Sequence, residues 1–135
     1  MRVFLDTNVF LRFLTQDEKI GYEESLRLIT KIQSGELTPY TSGIVFLELN
    51  YVLTKIYKKK KADVVDAILK LLQIRNLTLV EKVDTKAALD LYKKHDIKLG
   101  DCFIASQVPA GVVLVTYDKH FRKIKRFKTL TPAEC

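Results

Sequence analysis

Short apolar segments that read as strands alternate along the whole chain with segments of helical period, and each strand-like segment is only three to five residues long. That alternation is the strongest constraint on the fold. Strands this short, each followed by an amphipathic helix, cannot pair as hairpins. They are joined by right-handed crossovers into a mainly parallel sheet with helices packed on it. Arg2 to Leu5 is the first such strand, and Asp6-Thr7-Asn8 ends it with turn chemistry. A short apolar helix follows over Val9 to Leu14, and a second helix over Gly21 to Ile32 is stopped at Gly35. Leu37 to Thr41 reads as a strand, but Pro39 argues for a short or edge one. Ser42 caps a helix running to about Tyr57, and Asp63 to Ile74 forms the next. Leu77 to Val80 is a strand candidate, Asp84 caps a helix over Thr85 to Lys94, and Gly100-Asp101 opens another that Pro109 and Gly111 end. Val112 to Thr116 is the clearest strand of all, followed by a short basic helix and a weak final strand around Lys128 to Leu130. The predicted class is α/β, as one domain spanning residues 1–135, because 135 residues leave no room for a second core.

Composition removes whole classes of function. With 47% hydrophobic residues the chain has material for a packed core and is not intrinsically disordered. No apolar run approaches the ~20 residues needed to span a bilayer, so a cytoplasmic protein without a membrane partner is expected. The two cysteines, Cys102 and Cys135, cannot form a disulfide framework or a four-ligand zinc site, and Cys102 reads as a small buried hydrophobe. Lysine and arginine total 23 against 16 acids, a formal charge of +7 that suits a polyanionic partner. The charge is uneven: Lys55 with Lys58 to Lys61, and Lys119 through Lys128 including Arg122, Lys123 and Arg126, are two stretches without a single acid.

Four acids stand out against this background. In an open parallel sheet, ligands bind beyond the carboxyl ends of the strands. Asp6 follows the first strand, and Asp118 follows the strand that ends at Thr116. Asp101 lies at the start of its helix, and Glu48 rides in the first two turns of the Ser42 helix among apolar neighbours. Singly, each has an ordinary role open to it: an Asx turn for Asp6, N-caps for Asp101 and Asp118, a helix-dipole contact for Glu48. Together they are sent by the topology to one end of the sheet, where four carboxylates repel unless a counter-charge is present. A hard divalent cation, Mg²⁺ or Mn²⁺, resolves the repulsion. Thr7, Asn8 and Thr116 add short polar side chains that can orient carboxylates at the same edge. A carboxylate metal site in a basic domain points to phosphodiester chemistry.

The motifs around these acids carry a resemblance. Phe4-Leu5-Asp6-Thr7-Asn8-Val9-Phe10, Phe46-Leu47-Glu48-Leu49, Gly100-Asp101-Cys102-Phe103-Ile104-Ala105 and Leu114-Val115-Thr116-Tyr117-Asp118-Lys119-His120-Phe121 stand in the order of the four acidic motifs of the PIN-domain ribonucleases. The chain resembles especially the VapC-like toxins of toxin–antitoxin pairs. The resemblance implies a three-layer α/β/α fold and a divalent-metal-dependent endoribonuclease with Asp6, Glu48, Asp101 and Asp118 as the acidic site, supported by Asn8 and Thr116. It also implies a homodimer and an antitoxin partner that reaches the acidic site. RNA contacts are expected from Lys55, Lys58, Lys119, Arg122, Lys123 and Arg126. The alternative is a PIN fold that binds RNA or protein without cutting. Retention of all four acids favours the enzyme. A dehalogenase-like phosphatase would need a second aspartate two positions after Asp6, where Asn8 stands, and no phosphate-cradling glycine-rich loop is present.

Overall fold

Five strands and six α-helices are strung along residues 1–135, all of which the structure, a computed structural model, describes: β1 (Arg2–Leu5), α1 (Thr7–Thr15), α2 (Lys19–Ser34), β2 (Thr38–Ser42), α3 (Gly43–Tyr51), α4 (Lys61–Leu71), β3 (Thr78–Val80), α5 (Thr85–Lys94), α6 (Leu99–Gln107), β4 (Val113–Val115) and β5 (Thr129–Leu130). The strands form one sheet in the order β3-β2-β1-β4-β5, and every adjacent pair is parallel. Val3, Phe4 and Leu5 are all fully buried, so both faces of the central strand are covered and the architecture is three-layered. Phe10, Val45, Leu49, Ile104 and Phe121 pack with that strand into the core. No helix is long and apolar enough to cross a membrane.

Local chemistry sets most of the boundaries. Gly35 closes α2 in the left-handed conformation at φ 87°, which its missing Cβ permits. The helix begins two residues before Gly21 because the Glu18 carboxylate accepts the Ile20 and Gly21 amides. Ser42 and Asp84 cap α3 and α5 as their sequences imply. The helix expected to run on to Tyr57 instead gives way at Val52 to a π-helical turn, Val52–Ile56, closed by the Tyr57 amide donating to the Val52 carbonyl at 3.1 Å.

β2 is not an edge strand, despite Pro39: it lies between β1 and β3. The reason is register. Thr38 turns its amide toward β1, donating to the Met1 carbonyl, so the next residue, Pro39, turns its nitrogen to the other side. Pairing with β3 starts only at Tyr40 opposite Thr78, so no ladder bond is lost.

From β1 the chain advances one way across the sheet to β2 and β3, then returns to the far side of β1 for β4 and β5. The order therefore diverges between β1 and β4, and the carboxyl ends of these two strands open a crevice.

Candidate active site

The residues that follow β1 and β4 enter that crevice side by side. Asp6 occupies the N-cap position of α1, yet its side chain makes no capping bond. Its Oδ2 accepts from Thr116 Oγ1 at 2.6 Å in a fully buried contact. Thr116 Oγ1 in turn accepts the Asp118 amide at 3.0 Å, so one hydroxyl ties the ends of both strands together. Asp118 caps the 3-10 turn Lys119–Lys123: its Oδ1 accepts the His120 amide at 2.9 Å and lies 2.8 Å from His120 Nδ1. Across the crevice Thr7 Oγ1 donates to Glu48 Oε2 at 2.8 Å, which fixes a carboxylate of α3 against the start of α1.

Glu48 also leans on α6. A Cβ at Gly100 would stand 2.8 Å from Glu48 Oε1, closer than real Cβ contacts come, so glycine leaves the space in which this carboxylate sits. Asp101 follows it in the first turn of α6, whose N-cap position is held by Lys98 and not by Asp101. The ordinary roles available to Asp6 and Asp101 in the sequence are thus not the ones they play.

Asp6, Thr7, Asn8, Glu48, Asp101 and Asp118 line one depression of ≈ 470 Å³ together with Lys98 and the apolar side chains of Leu47, Tyr51, Val52 and Ile56. The π-helical turn supplies the last part of that apolar edge. Burial pushes Asp6 up to about 7, and the neighbouring charges of Glu48 and Asp101 add to the rise against the hydrogen bonds from Thr116 and the Thr7 amide. Burial also raises Asp101 to about 6, reinforced by Glu48 and Asp118 and opposed by Lys98 and His120.

As the side chains stand, no group of three or more histidine, cysteine, aspartate or glutamate residues is arranged to hold a metal ion. The donor chemistry fits a hard divalent cation all the same. Every donor is oxygen, two carboxylates are held above their ordinary range partly by like charge, and an ion such as Mg²⁺ needs only one or two carboxylates while it keeps several waters.

The structure gathers all four acids and Thr7 and Asn8, with Thr116 beneath them. It does not bring Lys55, Lys58, Lys119, Arg122, Lys123 or Arg126 to the depression; all six are exposed outside its lining. Lys98 is the cation that does reach it, unmarked in the sequence except by its place three residues before Asp101. Tyr117, inside the last of the four motifs, turns away to α2, where its hydroxyl lies 2.9 Å from Glu24 Oε2 and 3.2 Å from the Gly21 carbonyl. His95 lines a second depression of ≈ 710 Å³ that shares Lys98, Asp101 and Asp118 with the first.

A doubly wound, all-parallel α/β domain with an acidic cleft at its switch point is the class that the fold and the site define. The sequence matches the PIN domain family over residues 3–127, and the chain belongs to that family. Its fold is similar to that of VapBC2 from Rickettsia felis, solved bound to a DNA fragment from the promoter, at TM-score 0.69 and 22% identity over 97% of this chain and 98% of that one. It is similar as well to PAE2754 from Pyrobaculum aerophilum, at TM-score 0.61 and 18% identity over 96% of this chain and 92% of the other. No curated protein matches the sequence.

Proposed function

We propose that this protein is a divalent-metal-dependent endoribonuclease, the VapC-like toxin of a toxin–antitoxin pair, with Mg²⁺ or Mn²⁺ held among Asp6, Glu48, Asp101 and Asp118. The observation that carries the reading is electrostatic. Two carboxylates of one crevice are raised, to about 7 and about 6, by burial and by each other's neighbours, which is the state a bound cation relieves. When bound, such an ion neutralises phosphate charge and lowers the pKa of a water. The protein's own residues supply the placement. Thr116 holds Asp6, Thr7 holds Glu48, and the His120 amide and ring turn Asp118. Asn8, exposed at the rim, offers an amide to orient the incoming phosphodiester, and Lys98 offers it a positive charge. The two basic stretches around Lys58 and Arg122 favour a polyanion such as RNA farther along the strand.

The likeness to VapBC2 supports the toxin half of the reading, as does exposed apolar surface beside the site. Leu47, Tyr51 and Ile56 are 69%, 61% and 65% exposed, surface that a second copy or an antitoxin would cover in the cytoplasm. Asp6→Asn and Asp101→Asn each remove a charge and keep the side-chain shape. Each variant is expected to lose Mn²⁺-dependent cleavage of single-stranded RNA while its circular dichroism is unchanged. In the absence of RNA, Mn²⁺ is expected to raise the melting temperature of the wild type and not of the double variant. Wild-type protein that binds RNA and never cuts it with either ion would leave the non-catalytic binding module instead.

A further inference from the structure

Tyr92, His95 and Asp96 line a larger depression beside the acidic one and have no part in the proposed metal site. Tyr92 and His95 come to it from the end of α5 and the residue after it, Asp96 from the following loop, and His120 from the 3-10 turn opposite. Lys98, Asp101 and Asp118 are common to both depressions, so the two open onto one another across the acids. A strand whose phosphodiester lies at the acids therefore puts its next nucleotide into the larger depression. At ≈ 710 Å³ that space is ample for one nucleotide.

The lining is suited to a base more than to a phosphate. Three carboxylates disfavour a second phosphate there, whereas single-stranded RNA is read by stacking splayed bases on aromatic and imidazole rings and by hydrogen bonds to their edges. Tyr92 is 51% exposed and no hydrogen bond or ring stack holds it to its own fold, so its face is free for stacking. His120 commits Nδ1 to Asp118 and keeps Nε2 for a ligand. Asp96 is an acceptor that suits the exocyclic amine of adenine, cytosine or guanine and repels the carbonyl edge of uracil.

Resting on the nuclease reading, we infer that the Tyr92–His95–Asp96 depression is a base-recognition subsite for the RNA nucleotide adjoining the cleaved bond, and that it prefers an amino-bearing base to uracil. The test joins a binding arm to a cleavage arm. In the first, short single-stranded oligoribonucleotides (A₅, C₅ and U₅) are titrated by fluorescence anisotropy against the metal-free wild type, Tyr92→Ala, Tyr92→Phe and Asp96→Asn. Tyr92→Ala is expected to bind A₅ about tenfold more weakly, in the range for removal of one base–aromatic stack, and Tyr92→Phe to bind like the wild type. Asp96→Asn is expected to bring U₅ up toward C₅. In the second arm, cleavage sites on a mixed-sequence RNA are mapped with Mn²⁺. Tyr92→Ala is expected to raise KM with little change in kcat, and Asp96→Asn to admit uracil beside the cut. Wild-type cleavage with binding, KM and site preference unmoved by all three variants would overturn the subsite and leave the nuclease standing. Absence of cleavage by the wild type would overturn the nuclease reading, and the binding arm would still decide whether Tyr92 stacks a base.

Discussion

Replacement of Asp6 by asparagine is expected to make this protein more stable while it destroys the site. Asp6 is fully buried at 4% exposure, and its carboxyl is raised from the ordinary 3.8 to about 7. The folded state therefore holds the proton more tightly than the unfolded chain does. Below pH 3.8 the group is protonated in both states and costs nothing. Between 3.8 and about 7 the unfolded chain ionises first, and stability falls as pH rises. Above about 7 the full cost is present, and at ~1.36 kcal/mol per pH unit it comes to about 4 kcal/mol. Asparagine keeps the shape and can still accept the Thr116 hydrogen bond, but it never ionises. In chelator-treated samples, urea unfolding is expected to give equal stabilities for wild type and Asp6→Asn near pH 4. At pH 8 the variant is expected to be the more stable by up to about 4 kcal/mol, a rise in melting temperature of roughly 14 °C for a domain of this size. A divalent ion should lift the wild type in the same direction at pH 8, because it relieves the same charge. Two stability profiles that run together from pH 4 to pH 9, or a variant that is weaker at pH 8, would refute the claim that burial and like charge load this crevice.

Gly100→Ala tests how Glu48 is seated: its Cβ would stand 2.8 Å from Glu48 Oε1 and so must shift the carboxylate, whose other oxygen, Oε2, accepts from Thr7. Folding stability should change by less than about 1 kcal/mol, since alanine favours the helix, while calorimetric Mn²⁺ affinity falls about tenfold or more; adding Glu48→Asp should recover part of it, and unchanged affinity in Gly100→Ala would remove Glu48 from the site. Changing Arg122, Lys123 and Arg126 together to serine should make the log–log salt dependence of RNA binding shallower by about 0.7 for each phosphate that these side chains neutralise in the wild type; an unchanged slope would mark that stretch as a solubility feature.

Much of the scaffold is legible in the sequence because its signals are local. Gly35 needs a left-handed residue wherever it sits, Ser42 and Asp84 cap whatever helix follows them, and the 2-to-3.6 switch in apolar period is carried by adjacent residues. The acids after β1 and β4 are legible for a related reason: once the strands are parallel, their carboxyl ends share one edge. Pro39 misleads because its cost depends on where β3 begins, which is a property of pairing and not of the segment. The π-helical turn at Val52 is hidden as well, since its apolar residues fit an α-helical stripe equally well.

That four acids meet at the mouth of a parallel sheet in a basic domain is written in the chain itself, because topology follows from the order of strands and helices. Which partners those acids take is settled by folding alone. Asp6 forgoes its cap for Thr116, Glu48 rests against Gly100 on a different helix, and Lys98 supplies the nearby cation that the lysine-rich stretches do not. The difference is one of range. Caps and periodicity are settled within a turn or two of the chain, whereas the pKa of a carboxyl depends on every charge and every missing water within a few ångströms, and those come from segments far apart in sequence.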